Sequence, residues 1–152
     1  MNDEIKFCQN CSTTDDIFIH LKLCDAQFVP YLSSKVILKE YSEKLFNKAV
    51  RFEAWNKTTL IGLVAAYLNP VDSFLYITNV SVTPDYQGKS IAKQLLLSSI
   101  LFTKENNLNF IELEVNKNSI NAINLYKKLN FENLKEDSES CFLIYKIRRN
   151  EQ

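Results

Sequence analysis

The sequence has no excess of charge of either sign, since 18 basic and 18 acidic side chains balance among 152 residues. A chain without a basic excess is poorly suited to neutralise a phosphate backbone. Arginine is also scarce, because only Arg51, Arg148 and Arg149 accompany 15 lysines. Arginine is the better bidentate reader of phosphates and base edges. These shortages argue against nucleic acid as a partner.

Long hydrophobic runs and an N-terminal targeting signal are missing too. The longest apolar stretch, residues 95–102, is interrupted by Ser98 and Ser99. It falls well short of the roughly 18 residues that a membrane span needs. Residues 1–4 are acidic, whereas a signal peptide begins with basic residues. We therefore expect a cytoplasmic protein with no membrane partner, whose four cysteines are reduced thiols.

Glycine is rare as well, with Gly62 and Gly88 as the two examples. A chain that avoids glycine is expected to keep it where backbone sterics require it. The 46% hydrophobic and 24% charged fractions are ordinary for a globular protein. The length fits one domain, which we place over residues 1–152.

Hydrophobic periodicity and turn signals predict the elements in outline. The cluster Thr13-Thr14-Asp15-Asp16 is typical of a capped helix start. The step from residue 73 to residue 115 reads strand–helix–strand, which predicts a parallel or V-shaped pair joined by a right-handed crossover. The chain is therefore expected to be a mixed α/β layer protein. Helices are predicted over 14–24, 36–49, 88–106 and 119–129, and strands over 50–55, 60–68, 73–82, 110–115, 131–135 and 141–147.

The segment between the strand at 73–82 and the next helix carries the clearest chemical signal. A loop that feeds a helix N-terminus leaves several backbone N–H groups unpaired, and the helix dipole adds positive potential there. Gly88 would let a phosphate approach the backbone, and Lys89 and Lys93 add charge. This pattern favours an anion site, although a plain strand-to-helix turn has the same local sequence features.

The same segment resembles the GNAT superfamily of acyl-CoA-dependent N-acyltransferases. The family element is Gln/Arg-x-x-Gly-x-Gly/Ala after a V-x-P-x-Y/F lead, and the lead here is V-T-P-D-Y at residues 82–86. The departure is Ser90, where the family prefers glycine. The element itself reads Gln87, Gly88, Lys89, Ser90, Ile91 and Ala92.

A second segment also resembles the family. Residues 113–131 follow its pattern L-x-V-x-x-x-N-x-x-A-x-x-L-Y-x-x-x-G-F, with Asn130 in place of the glycine. Asparagine is the next-best residue for a left-handed helix C-cap, so this exchange is mild. The resemblance covers residues 50 to 147. It implies an α/β (α+β) fold with a mixed, mostly antiparallel sheet of six to seven strands. About four helices flank that sheet, and it splays in a V between its fourth and fifth strands.

The resemblance implies acetyl transfer from acetyl-CoA to a primary amine, with no metal. The backbone of residues 87–92 would hold the pyrophosphate, and Val80 and Val82 would align the pantetheine arm. Tyr126 corresponds to the family's general acid, and a phenol suits a thiolate leaving group. A tyrosine beside Leu125 and Leu129 is also a common core residue. The acceptor would be a small amine, an amino sugar or a protein N-terminus, and the similarity also suggests a homodimer.

The general base has two candidate origins. Strand alternation puts Glu112, Glu114 and Asn116 on one face, and Glu114 corresponds to the base of enzymes that resemble the ribosomal-protein acetyltransferases. The two glutamates also fit a solvated sheet edge, in which case a water takes the proton. Asn116 and Asn121 flank the expected cleft and would bond pantetheine or phosphate, although Asn121 also suits a helix cap.

Two alternatives to an enzyme remain. One is a catalytically inactive acyl-CoA-binding or interaction module, in which Ser90 and an unsuitable acceptor site have ended turnover. The other is a zinc-organised N-terminus. Its candidate ligands are Cys8 and Cys11, which form C-x2-C, with His20 and Cys24.

Overall fold

A computed structural model describes residues 4–148 of the chain. The rest of the acidic N-terminal segment, residues 1–3, and residues 149–152, which include Arg149, lie outside the described part. Within residues 4–148, seven strands form one sheet in the order β1-β2-β3-β4-β5-β7-β6. The strands are β1 Ile5–Gln9, β2 Val50–Asn56, β3 Thr59–Asn69, β4 Phe74–Val82, β5 Phe110–Asn116, β6 Glu132–Glu136 and β7 Ser140–Lys146.

In the described part of the chain, four α-helices cover the two faces of the sheet. They are α1 Thr14–Cys24, α2 Leu38–Lys48, α3 Ile91–Glu105 and α4 Ile120–Lys128. Short 3-10 turns occupy Asp25–Gln27, Leu32–Ser34 and Pro84–Tyr86. No helix among residues 4–148 is long and apolar enough to cross a membrane. The predicted α/β architecture is confirmed, including all four helices and a parallel β4–β5 pair in an otherwise antiparallel sheet.

Each face of the sheet has its own apolar core, because strand residues alternate between the faces. The larger core packs α3 and α4 on one face and includes Phe52, Ile77 and Leu95. The smaller core packs α1 and α2 on the other face and includes Ile17 and Leu45. Gly62 lies where α3 crosses β3, and a Cβ there would stand 2.7 Å from Ile91 Cγ2. Scarce glycine is therefore kept at this position for close packing.

One strand was not predicted and one helix begins three residues later than predicted, whereas the other boundaries agree within two residues. The strand β1 was not predicted, because only Ile5 and Cys8 of its five residues are partly buried and no alternation is visible. The helix predicted from residue 88 begins at Ile91 instead. Gly88 and Ser90 both have positive φ, at 77° and 62°, which is a left-handed conformation and incompatible with an α-helical turn. The predicted left-handed residue after α4 is confirmed, since Asn130 has φ 74°.

Candidate active site

The site lies where β4 and β5 separate. The two strands pair only from Phe74–Phe110 to Ile77–Leu113. At that point the register of β4 against β3 shifts, because Ala66 faces Ile77 whereas Ala65 faces Asn79. Thr78 is therefore an extra residue on β4, and such a bulge bends its strand and re-aims the side chains that follow. Beyond it β4 diverges from β5, which is the predicted splay.

An open cavity of about 1140 Å³ occupies this splay. It brings the two sequence motifs together, since residues of both segments lie along its walls. Lys89 does not line it. The predicted site residues that do are Val80, Val82, Gln87, Gly88, Ser90, Ile91, Ala92, Glu114, Asn116, Asn121 and Tyr126.

The loop before α3 has the geometry of an anion site. Its left-handed Gly88 and Ser90 turn the chain so that α3 starts at the cavity wall. The first N–H groups of a helix have no partner inside the helix, and the dipole end there is positive. Ile91 is 2% exposed, so only its backbone is available to the cavity. The Gln87 side chain stabilises the loop itself. Its Nε2 donates to Gln27 Oε1 at 2.7 Å and to the Val82 carbonyl at 3.3 Å.

Tyr126 reaches the cavity from α4 although its side chain is almost wholly buried, with 6% exposed. Its ring packs against Phe131, with 5.8 Å between ring centroids. Burial raises the pKa of Tyr126 above its ordinary value of 10, because a phenolate would lose its hydration there. The phenol therefore stays protonated at neutral pH and can donate a proton, but it cannot serve as a base.

The acidic face of β5 lies on the opposite side of the strand from the core, as strand alternation predicts. Ile111, Leu113 and Val115 are buried, whereas Glu114 is exposed at the cavity wall. The Ser140 hydroxyl donates to Glu114 Oε2 at 2.9 Å and so orients its carboxylate. Tyr76 of β4 faces the same space; burial raises its pKa, and the charges of Glu114 and Glu112 raise it further. Among the described residues that line the cavity, Glu114 is the one acidic side chain.

The two asparagines have different surroundings. Asn116 Oδ1 already accepts from the Asn118 N–H at 2.8 Å, which closes a local turn after β5. Its amide nitrogen is the group left to face a ligand. Asn121 is not the N-cap of α4, because Ser119 occupies that position, without a side-chain capping bond, and Asn121 lies inside the first turn.

A buried polar group beneath β4 was not predicted as part of the site. His20 of α1 is fully buried, with Nδ1 3.0 Å from the Leu60 carbonyl and Nε2 2.8 Å from Ser81 Oγ. Ser81 Oγ lies 2.8 Å from Asn79 Oδ1, and Asn79 and Ser81 both line the cavity. The available signal was a pair of polar residues inside an apolar strand, but the bulge at Thr78 hid which face they occupy.

His20 should make folding stability depend on pH. Burial lowers its pKa from the ordinary 6.5 to about 4. The His20 imidazole is therefore protonated below about pH 6.5 in the unfolded chain but only below about pH 4 in the folded chain. The free energy of unfolding accordingly decreases as the pH is lowered from 6.5 to 4. We expect a loss of about 2 kcal/mol between pH 7 and pH 5, measured as the urea unfolding free energy. His20→Gln should abolish most of this slope; an unchanged slope would contradict the assignment.

The four candidate zinc ligands do not come together. Cys8 and Cys11 are bonded to each other as a disulfide, while Cys24 and Cys141 are free. The expectation of four reduced thiols is therefore wrong for the first pair, because the loop after β1 folds the C-x2-C back on itself. His20 and Cys24 lie one turn apart in α1, with Nε2 and Sγ 3.7 Å apart beneath β4. Among residues 4–148, the group with metal-ligand spacing is Cys8, Cys11 and Glu53, which lacks both predicted partners.

Comparison with known proteins gives a consistent result. The model of the acetyltransferase (GNAT) family matches residues 18–131. A search of curated proteins finds no match. The ribosomal-protein-S18-alanine N-acetyltransferase from Escherichia coli has a similar structure, with a TM-score of 0.78, 15% identity, and coverage of 98% of this chain and 97% of that one.

Two further solved structures are similar over nearly their whole length. PH1933 from Pyrococcus horikoshii has a TM-score of 0.79 at 20% identity, with 96% of this chain and 100% of that chain covered. The PaiA N-acetyltransferase from Thermoplasma acidophilum, solved in complex with coenzyme A, has a TM-score of 0.75 at 18% identity. Coverage is 95% of this chain and 99% of that one. At these identities the structural likeness concerns the fold alone.

Proposed function

Because the chain belongs to the GNAT acetyltransferase family, we propose that it transfers the acetyl group of acetyl-CoA to a primary amine by direct attack. One observation carries this proposal. The β4–β5 splay forms a single cavity that has a helix N-terminus at one side and Tyr126 and Glu114 on its walls. A phosphate-bearing thioester and an amine that attacks it need this combination of groups.

Cofactor binding is the first role of the cavity. The N–H groups at the start of α3, with Gly88 and Ser90 beside them, would hold the pyrophosphate. The backbone of Val80 and Val82, which does not pair with β5, would hydrogen-bond the pantetheine arm. Asn116 and Asn121 would add side-chain contacts from the opposite wall. A coenzyme A complex is known for PaiA, which supports coenzyme A as the carrier here.

Acetyl transfer begins with deprotonation of the acceptor amine. The acceptor ammonium gives one proton to Glu114, or to a water beside it, and the free amine attacks the thioester carbonyl. A backbone N–H of β4 stabilises the oxyanion of the tetrahedral intermediate. The nitrogen then loses its second proton, the C–S bond breaks, and Tyr126 gives its proton to the coenzyme A thiolate. The proton lost by the nitrogen restores the Tyr126 phenol through water, and the proton on Glu114 passes to solvent. The products are an acetylated amine and coenzyme A thiol.

The acceptor is proposed at the level of a chemical class. Glu114, the one acidic side chain among the described residues that line the cavity, favours a cationic amine. A small amine, an amino sugar and a protein N-terminus all meet this requirement. The similar Escherichia coli enzyme acetylates an alanine of ribosomal protein S18, so a peptide N-terminus belongs in any substrate panel. The cytoplasmic location and the homodimer stay predictions.

Calorimetric titration of acetyl-CoA into the protein tests the cofactor site. We expect micromolar affinity, and an affinity at least as high in Ser90→Gly. Serine at φ 62° carries left-handed strain of about 1 kcal/mol that glycine does not, so Ser90→Gly should also unfold at higher urea concentration. Binding without turnover of any amine would favour the inactive acyl-CoA-binding module. No binding at millimolar acetyl-CoA would contradict the proposal.

A further inference from the structure

Asn79 carries a buried polar atom that makes no hydrogen bond of normal geometry with residues 4–148. The side chain is 4% exposed and lines the cavity. Its Oδ1 lies 2.8 Å from Ser81 Oγ, and its Nδ2 is buried without a hydrogen-bond partner in the described part of the chain. The neighbouring Tyr41 hydroxyl bonds Thr78, at 3.2 Å from the carbonyl and 3.0 Å from Oγ1, and it also interacts with the Asn79 side chain. A buried, unpaired polar atom costs free energy, so its retention points to a role.

The hydrogen-bond chain below Asn79 has a fixed direction. The Leu60 carbonyl can only accept, so His20 Nδ1 carries the hydrogen that lies between them. A neutral imidazole has one N–H, so Nε2 is an acceptor, and the hydrogen of Ser81 Oγ must point to it across 2.8 Å. His20 is neutral at pH 7, because burial lowers its pKa to about 4.

The direction of these hydrogen bonds determines the orientation of the Asn79 side-chain amide. The single hydroxyl hydrogen of Ser81 is already committed to His20, so Ser81 Oγ can only accept from Asn79. The atom facing Ser81 must therefore be the NH2 group. An amide oxygen and nitrogen have nearly the same shape, and their hydrogen bonds decide which is which. A half-turn of the amide satisfies Ser81 and leaves the carbonyl oxygen, an acceptor, on the side of Tyr41 and the cavity.

We propose that His20 and Ser81 are positioning residues that hold the Asn79 carbonyl oxygen towards the acceptor side of the cavity, where it accepts a hydrogen bond from the N–H of the amine. The inference rests on the proposed function, because it concerns the same cavity. It adds a specificity determinant. An ammonium or amine can donate to this oxygen, whereas a group with only lone pairs, such as a carboxylate, would be repelled.

Nitrogen NMR tests the direction of the hydrogen bonds between His20, Ser81 and Asn79 without any substrate. His20 is the only histidine in the sequence, so protein labelled with ¹⁵N in histidine gives one imidazole. At pH 7 we expect a neutral ring with hydrogen on Nδ1 and none on Nε2. A hydrogen on Nε2, whether in the other tautomer or in the doubly protonated ring, would overturn the inference. In that case Ser81 is free to donate to Asn79.

Amine binding tests the role of the carbonyl oxygen. Spermidine, glucosamine and a peptide with N-terminal alanine are titrated into protein saturated with coenzyme A. For the tightest-binding amine, Asn79→Leu should raise the Kd about tenfold or more, since a hydrogen bond from a charged donor is lost. Asn79→Asp keeps an oxygen on the cavity side but offers no donor to Ser81, so it should bind the amine more weakly than the unmodified protein and more tightly than Asn79→Leu. Equal losses in both variants, or no binding of any amine by the unmodified protein, would overturn the inference.

Matched controls separate this outcome from a general loss of structure. Ser81→Ala interrupts the hydrogen bonds between His20 and Asn79. Ser99→Ala removes another buried hydroxyl, which bonds only the Leu96 carbonyl, at 2.6 Å. Only Ser81→Ala should weaken amine binding. Acetyl transfer is measured on the same samples. Binding that depends on Asn79 but is never followed by acetylation would contradict the proposed function and leave this inference standing.

Discussion

Replacing Tyr126 with phenylalanine should lower the turnover number by roughly 10²–10⁴-fold, which is the usual contribution of general acid catalysis. Phenylalanine fills the same space against Phe131, so the ring contact and the fold are kept. The thiolate would then leave without a proton donor. Because the hydroxyl takes no part in holding the pyrophosphate, the Kd of acetyl-CoA should stay nearly constant. Steady-state kinetics and calorimetry on the same variant measure the two quantities.

Tyr145 offers a matched control for this experiment. Its ring also packs against Phe131, at 5.5 Å between centroids. Tyr145 belongs to β7 and does not line the cavity. Tyr145→Phe should therefore leave turnover unchanged. If Tyr126→Phe were equally harmless, water would protonate the thiolate and Tyr126 would be a core residue, which is the alternative that its apolar neighbours support.

The parts of the site that depend on chain order could be predicted from the sequence. The Gln87–Ala92 segment follows a strand and precedes a helix, and residues 113–131 repeat this order, so both were expected at the sheet's splay. The cavity does combine them. What the pattern could not show is local backbone conformation. The left-handed φ of Ser90 delays the start of α3 to Ile91. Ile91 is also the first apolar residue of the segment, so apolar periodicity alone does not assign residues 88–90.

The role of β4 was missed for a different physical reason. Alternation assigns side chains to faces only while the register is uninterrupted. The extra residue at Thr78 moves Asn79 and Ser81 to the face covered by α1. His20 then meets Ser81 across 61 positions of sequence, and no local signal in either segment predicts that contact. The zinc hypothesis is wrong because the sequence likewise gives no local signal for the direction of the His20 side chain. His20 points into the sheet and not towards Cys8 and Cys11.

The N-terminal region is held to the sheet by a second buried polar cluster, centred on Glu53 of β2. The Glu53 side chain is fully buried and pairs with Arg51 Nε at 3.3 Å. Its carboxylate also accepts from the Cys11 N–H at 2.9 Å, from both the N–H and the hydroxyl of Ser12, and from Trp55 Nε1 at 3.2 Å. One carboxylate thus fastens the β1–α1 connection to the sheet.

Arg51 extends the same cluster to the end of α2. Its Nη1 donates to the carbonyls of Leu45, Phe46 and Ala49 at 3.1–3.3 Å, and its Nη2 donates to the Ser12 carbonyl at 3.1 Å. The guanidinium is 5% exposed. A positive charge this deeply buried is tolerated because Glu53 neutralises it and the carbonyls satisfy its hydrogens. Loss of the carboxylate would leave that charge uncompensated.

Glu53→Gln should therefore reduce the unfolding free energy by about 3–5 kcal/mol, the usual cost of breaking a buried ion pair by removing one partner. The glutamine keeps the volume but turns an NH2 group towards donors that need an acceptor. Urea denaturation measures the effect. Glu132→Gln is the matched control, because Glu132 lies 3.9 Å from Arg148 in an exposed ion pair and such pairs contribute little.

Comparison with Ser12→Ala separates the contribution of the Glu53 charge from that of its hydrogen bonds. Ser12→Ala removes one of the donors to the carboxylate but leaves its charge against Arg51, and should cost about 1 kcal/mol. If Glu53→Gln cost no more than Ser12→Ala, the ion pair would not carry the cluster, and hydrogen bonding alone would hold the β1–α1 connection. A large difference between them would show that charge neutralisation of Arg51 anchors α1 to the sheet. Since α1 carries His20, the same anchor sets the platform beneath Asn79 and the cavity.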